Sequence, residues 1–317
     1  MEHKDWGVLD DKVLDRRRSR DDERDLQDTH TDAMGEAMAP IRLQGKEGEK
    51  ITVRRYGAHV TSFVVKGREA LFVSERAVFQ PPKAIRGGVP ICFPQFSDLG
   101  SVPQSHGFAR NATWKLVKMQ GDRAILSLKH EDVQEWQEAY PHQWEVVLEV
   151  SVGKERGKMC MKVRVTNRGE ENMPFTFAFH TYLRVDACCA RVENLKGLEY
   201  WDNTKNRETK VDQENHISPY SEVDRVYLNA PDNIRVVENS TGREIIVRKR
   251  NLPSVVVWNP WQKKAVALPD MGDLEYRGMI CVEPAIVEPI QLKPGETWEA
   301  EQSVEIRMFE PGKAPAL

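Results

Sequence analysis

At 317 residues, with 40% hydrophobic side chains, the chain carries enough apolar material for one large domain or two modest ones. Its formal charge of −3 supplies no global attraction to nucleic acid or to an anionic membrane surface, and no run is long and apolar enough to span a bilayer. Five cysteines, two of them the adjacent Cys188 and Cys189, make no disulfide framework, which points to a reducing, cytoplasmic setting.

Residues 1–39 surround a few aliphatics with Arg16-Arg17-Arg18 and Asp21-Asp22-Glu23. Such a stretch cannot bury enough surface to offset its ordering entropy, so it reads as a disordered, charged tail. A single domain is expected over 40–311, with 312–317 as a flexible end. From Ile41 onward the pattern is one of short strands: Ile51-Thr-Val-Arg-Arg, Val60-Thr-Ser-Phe-Val-Val, Ala124-Ile-Leu-Ser-Leu, Trp144-Glu-Val-Val-Leu-Glu-Val and Met161-Lys-Val-Arg-Val. Glu244-Ile-Ile-Val-Arg, Ser254-Val-Val-Val-Trp and Thr297 to Met308 continue it. The period is two, β-branched residues dominate, and Gly, Pro, Asn and Asp punctuate the joins. Only Asp132 to Ala139 reads as a short helical turn, stopped at Tyr140-Pro141. Strands do not alternate with long helices, so the expectation is an all-β fold, a large antiparallel β-sandwich.

Nucleotide cradles, His-x-x-x-His and Cys-x-x-Cys spacings and a Gly-x-Ser-x-Gly elbow are all missing from the sequence. The expectation is chemistry run on side chains, with no cofactor and no metal. Arg86-Gly-Gly-Val-Pro90 presents a cation on a loop constrained by glycine and proline, suited either to a fixed anion or to pairing with a neighbouring acid. His106 and Arg110 flank Phe108, which faces the core; His106 reads as structural when taken alone. Alternation in Pro174–Leu183 puts Phe175, Phe177 and Phe179 on one face and Thr176, Ala178 and His180 on the other. Glu283, in Met279-Ile-Cys-Val-Glu-Pro, is a carboxylate in an apolar strand, explained by a buried salt bridge (Arg277 is near in sequence) or by function. Asp224 and the indoles of Trp258 and Trp261 suit sugar hydroxyls and sugar C–H faces, although Trp261 fits the core equally well. An imidazole and a carboxylate together meet the needs of reversible proton transfer near neutral pH.

Taken in order, Arg86-Gly-Gly-Val-Pro, His106-Gly-Phe-Ala-Arg110-Asn, Phe179-His180-Thr-Tyr, Val223-Asp224-Arg-Val-Tyr, Val257-Trp-Asn-Pro-Trp261 and Met279-Ile-Cys-Val-Glu283-Pro are similar to one family over about Ile41 to Met308. The chain resembles the glucose-6-phosphate 1-epimerase (hexose-6-phosphate mutarotase) branch of the aldose 1-epimerase superfamily, including its plant apospory-associated protein C-like members. The resemblance implies a galactose mutarotase-like supersandwich acting on a hexose 6-phosphate, with Glu283 as general base and His180 as general acid. It further implies that Arg86 and Arg110 hold the 6-phosphate while His106 and Asp224 contact the sugar. Gln104 is a candidate contact, because Ser105 separates it from His106 where family members place Gln directly before His. Attraction across the site is expected to raise the His180 pKa and lower that of Glu283. A monomer is expected, without nucleic acid or membrane partners. A free-sugar aldose 1-epimerase and a non-catalytic carbohydrate-binding protein on the same scaffold are the alternatives; a glycoside hydrolase, which usually needs two carboxyl groups, fits less well.

Overall fold

The computed structural model describes residues 39–310, so the expected tail, apart from Ala39, and the C-terminal end lie outside the described residues. Every strand named from the sequence is a strand in the structure. Two eight-stranded antiparallel sheets form the body, with a four-stranded sheet from Pro40 to Glu69 beside them. The first large sheet runs Glu208–Val211, Glu199–Asp202, Val223–Tyr227, Ser254–Asn259, Met279–Leu292, Met173–Phe179, Ile91–Cys92, and Tyr182–Arg184 also pairs with Met279–Leu292. The second runs Ala190–Glu193, Asn233–Glu238, Arg243–Arg250, Thr297–Met308, Lys158–Asn167, Trp144–Val152, Arg123–Lys129, Lys115–Gln120. The expected antiparallel sandwich is the architecture observed.

Met279–Leu292 shows why the site sits where it does. Successive side chains of a strand point to opposite faces. Ile280, Val282 and Ile286 enter the main core together with Phe177, Phe179, Val255 and Val257. The second sheet contributes Leu148, Met161, Val163 and Val304 to the same core. Met279, Cys281, Ala285 and Val287 enter a separate apolar cluster with Tyr182, Val256 and Trp258 on the outer face. Glu283, between Cys281 and Ala285 in this alternation, therefore projects from the outer face. The inner face is anchored by aromatic packing, with Phe177 against Phe179 at 4.9 Å and against Trp298 at 5.4 Å between centroids.

The helical turn expected over Asp132–Ala139 is a pair of 3₁₀ turns, His130–Asp132 and Gln134–Trp136. The α-helix Trp261–Ala267 has no counterpart among the elements expected from the sequence. Its start is held by Asn259 Oδ1, which accepts a hydrogen bond from the Trp261 N–H at 2.9 Å. That places Trp261 on a helix, half-buried against Tyr276 at 5.1 Å between ring centroids.

Candidate active site

The site is assembled by backbone hydrogen bonds between two loops. Gly87 and Gly88 take φ of 115° and 62°, and a Cβ on Gly88 would collide with the Val60 carbonyl oxygen, so only glycine fits this approach. The loop so formed is stitched to the next segment: Tyr182 N–H donates to Gly88 O at 2.9 Å, and His180 N–H donates to Pro90 O at 3.0 Å. Between these two residues Thr181 points the other way, its hydroxyl donating to Gln302 Oε1 at 2.8 Å in the core. Arg86 and His180 are thus fixed by one continuous backbone framework.

His180 Nδ1 lies 3.2 Å from Glu283 Oε1, and the two residues are 6% and 1% exposed. The contact is not aligned as a hydrogen bond: His180 Nδ1 and Glu283 Oε2 are both buried without a hydrogen-bond partner. Tyr182 stacks on the imidazole, and the Trp258 indole meets it edge-on at 5.9 Å. Buried polar atoms left unsatisfied are costly, and they mark a place built for something other than stability.

The expected mutual pKa shift is reversed. Burial pushes the Glu283 carboxyl well above the ordinary carboxylate value; the Asp224 charge adds to this, while Arg110 opposes it. Burial also pulls the His180 imidazole well below its ordinary value, with Arg110 and Arg86 acting in the same direction. Desolvation disfavours each charged form, Arg110 and Arg86 further disfavour the imidazolium, and Asp224 further disfavours the carboxylate. Burial of the pair therefore acts toward a neutral imidazole beside a protonated carboxyl.

A cleft of about 510 Å³ opens next to Tyr182, lined among others by Lys83, Arg86, Gln104, Arg110, Asn111 and Asp270. Three cations face one carboxylate there. Arg86 donates from Nε to Asp270 Oδ1 at 3.2 Å and from Nη1 to the Tyr182 hydroxyl at 3.1 Å. Of the two readings of this arginine, the pairing with a neighbouring acid is observed, and the side chain also lines the cleft. Arg110 donates from Nη2 to Ser105 O at 2.8 Å, while its Nε is buried without a partner and burial lowers its pKa. An anion would relieve that desolvation.

His106 stands between the two regions, its ring 5.3 Å from that of His180. Its Nδ1 accepts the Ser97 N–H at 3.2 Å, and burial pulls its pKa well down. A neutral ring with Nδ1 accepting carries its proton on Nε2, ready to donate. Asp224 lies opposite Trp258 in the strand register, and Trp258 opposite Cys281, so it shares the outer face with Glu283. It accepts from Asn203 Nδ2 at 2.7 Å and lies 3.6 Å from Lys264 Nζ. The Arg277 explanation for Glu283 does not hold, because Arg277 Nε donates to the Tyr276 hydroxyl at 3.2 Å.

A family model for aldose 1-epimerase matches residues 40–305. The chain belongs to the aldose 1-epimerase family. A relative from Cenchrus ciliaris is 45% identical over 275 residues, covering 81% of this chain and 82% of its own length. One from Escherichia coli (strain K12) is 32% identical over 241 residues, covering 74% and 79%. Both bear the name "Putative glucose-6-phosphate 1-epimerase". A "putative mutarotase" structure from Salmonella typhimurium aligns with a TM-score of 0.75 at 26% identity, over 85% of this chain and 90% of that one. A galactose mutarotase-like protein from Lactobacillus casei shares the fold at 16% identity and a TM-score of 0.66, over 85% and 100%.

In this member of the aldose 1-epimerase family, sequence reasoning passes over Tyr182, Asp270 and Lys83. Tyr182 is within its reach, because it lies two residues after His180 in the quoted Phe179-His180-Thr-Tyr motif. Asp270 sits in a loop with no local pattern, and only the fold brings it to Arg86. Lys83 follows Pro81-Pro82, a stretch that reads only as a turn.

Proposed function

We propose that this chain is a glucose-6-phosphate 1-epimerase, interconverting the α and β anomers of hexose 6-phosphates by acid–base ring opening and closure. The observation that carries the reading is the buried, unpartnered His180–Glu283 pair beside a cleft holding Lys83, Arg86 and Arg110. The names of the relatives support the substrate class.

In the mechanism, Glu283 takes the proton of the anomeric hydroxyl while His180 protonates the ring oxygen. The C1–O5 bond breaks and the aldehyde C=O forms. Rotation about C1–C2 presents the other face, and closure returns both protons with the roles exchanged. The reactive pair holds one proton in total, and the proton's home depends on charge nearby. A 6-phosphate dianion on Arg86 and Arg110 cancels two charges that depress His180 but only one that acts on Glu283. Substrate therefore tilts the proton toward the imidazole, which arms the acid and the base together. Each positioned group typically supplies about 10²–10⁴-fold, so the pair suffices for a reaction that already proceeds slowly in water. His106 Nε2–H and the Asp224 carboxylate would orient sugar hydroxyls, and Gln104 the substrate at the cleft side.

A free-sugar epimerase would need no cationic cleft, since a neutral hexose gives two desolvated guanidinium groups nothing to pair with. The test is magnetisation-exchange NMR on equilibrating glucose 6-phosphate with wild type and Glu283→Gln. Exchange is expected to fall by about 10²-fold or more in the variant. Near-wild-type exchange in Glu283→Gln would end the assignment.

A further inference from the structure

Among the described residues, His180, Cys281 and Glu283 bring an imidazole nitrogen, a thiol sulfur and a carboxylate oxygen within 4.8 Å of one another. The strand geometry makes this arrangement unavoidable. Cys281 and Glu283 are two residues apart, hence on one face, and Tyr182 lies opposite Cys281 in the register, which brings His180 alongside. We propose that this triad is a binding site for a thiophilic divalent cation, Zn²⁺ or Cd²⁺, which competes with the sugar.

Three features argue for it. The proton-transfer chemistry leaves Cys281 with no task, yet its sulfur is fully buried against the reacting pair. His180 Nδ1 and Glu283 Oε2 have no hydrogen-bond partner, and they belong to two side chains more than nine-tenths buried and in contact with each other. The separations are also close to what a metal demands. Tetrahedral zinc with nitrogen, oxygen and sulfur ligands sets donor atoms about 3.3–3.8 Å apart. His180 and Glu283 already stand at 3.2 Å, so a shift of about 1 Å at the sulfur completes the set.

The donor chemistry selects the ion. A thiolate and an imidazole favour zinc and cadmium over magnesium or calcium, which prefer all-oxygen shells. Charge balance favours it too: one dication with thiolate, carboxylate and neutral imidazole sums to zero, the condition a dry pocket prefers. On binding, the S–H bond of Cys281 and, where the carboxyl is protonated, its O–H bond are broken. One to two protons leave to the buffer, and nothing is oxidised or reduced. Binding itself does not depend on the proposed epimerase reading; competition with the sugar does.

The experiment uses the full chain with Cys188→Ser and Cys189→Ser, which removes the exposed adjacent thiols. Zn²⁺ is titrated calorimetrically in buffers of different ionisation enthalpy, and Cd²⁺ is followed by its near-ultraviolet thiolate charge-transfer band. The expected result is one ion per chain, release of one to two protons, the thiolate band, and an apparent Kd that rises with added glucose 6-phosphate. Cys281→Ala should abolish the band and weaken binding by about tenfold or more, and Cys281→Ser, which keeps the shape, should do the same. Cys92→Ala, at another buried thiol, should leave both intact. Absent binding, a missing band, or unchanged affinity in both Cys281 variants would overturn the site. Tight binding that hexose 6-phosphate does not displace would overturn the competition. Metal binding in a chain without epimerase activity would leave the site standing and defeat only the functional reading.

Discussion

Tyr182 stacks on His180 with ring centroids 4.7 Å apart and planes 10° from parallel, while its hydroxyl accepts a hydrogen bond from Arg86 at 3.1 Å. One side chain thus touches both the proposed acid and a cation of the neighbouring cleft. The tyrosine sets the imidazole plane by stacking and sets the guanidinium by hydrogen bonding. On the proposed reading, phosphate recognition and proton transfer would share this one side chain, a route by which remote binding energy becomes orientation at the reacting carbon.

Tyr182→Phe separates the two tasks. The ring and its stacking remain, while Arg86 loses one of its two partners, a hydrogen bond to a charged group worth about 1.5–3 kcal/mol. KM for glucose 6-phosphate should rise about tenfold with kcat changed much less. Steady-state kinetics on both anomers checks this. Equal losses in kcat and kcat/KM would show that the hydroxyl acts in the transition state instead.

Arg86→Ala and Arg110→Ala should discriminate between substrates. Loss of a charge-assisted phosphate contact should lower kcat/KM for glucose 6-phosphate by about 10²-fold and leave any activity on free glucose nearly unchanged. Comparison of the two sugars in one NMR exchange assay reads the ratio. Parallel losses on both would mean that the arginines support the fold rather than the phosphate.

The pH profile follows from the directions of the shifts. Below the His180 pKa the pair holds two protons, and above the Glu283 pKa it holds none; activity needs one. With His180 pulled well below its ordinary value and Glu283 pushed well above its own, the acid limb of kcat/KM should fall below the usual imidazole range. Phosphate on the arginines should move the limb of kcat to higher pH than that of kcat/KM, once the substrate's own phosphate ionisation has been subtracted. Coincident limbs would contradict the charge coupling.

Glu283 also costs the protein stability. Its folded-state pKa is raised, so its contribution is fullest below the ordinary carboxylate value and is lost as pH climbs through the raised value. Gln cannot ionise. The melting temperature of Glu283→Gln relative to wild type should therefore increase as pH rises above the ordinary carboxylate range, each kcal/mol being worth about 2 °C in a domain this large. A difference that stays flat with pH would show that the carboxyl is as readily ionised folded as unfolded.

The sequence is most legible where period two holds. Phe175, Phe177 and Phe179 point to the core and Ala178 to the outer cluster, where the His180 ring packs on Tyr182 and Trp258, as alternation requires. The eight strands named between Ile51 and Met308 are readable for the same reason, whereas others such as Lys115–Gln120 and Glu208–Val211 are not. The charge state of the site is not, because it depends on the sum of burial and of Arg86, Arg110 and Asp224, which lie far apart in the chain. The helix at Trp261 is hidden for a different reason: its seven residues are too few for a periodic signal, and its N-terminal hold comes from a side-chain amide. The Cys281–Glu283–His180 cluster has no short-spacing motif because its donors come from separate segments of the chain.

Between Met279 and Val287 the central strand divides its side chains between the packed interior and the outer cluster by parity. Inserting or deleting one residue ahead of Glu283 would swap the two sets, turning a carboxyl inward and a valine out toward His180 and Trp258. Length changes in this segment are therefore survivable only in pairs, whereas the surface loops are under no such arithmetic. Evolution can lengthen the rim of this protein by any step, but its central ribbon only by twos.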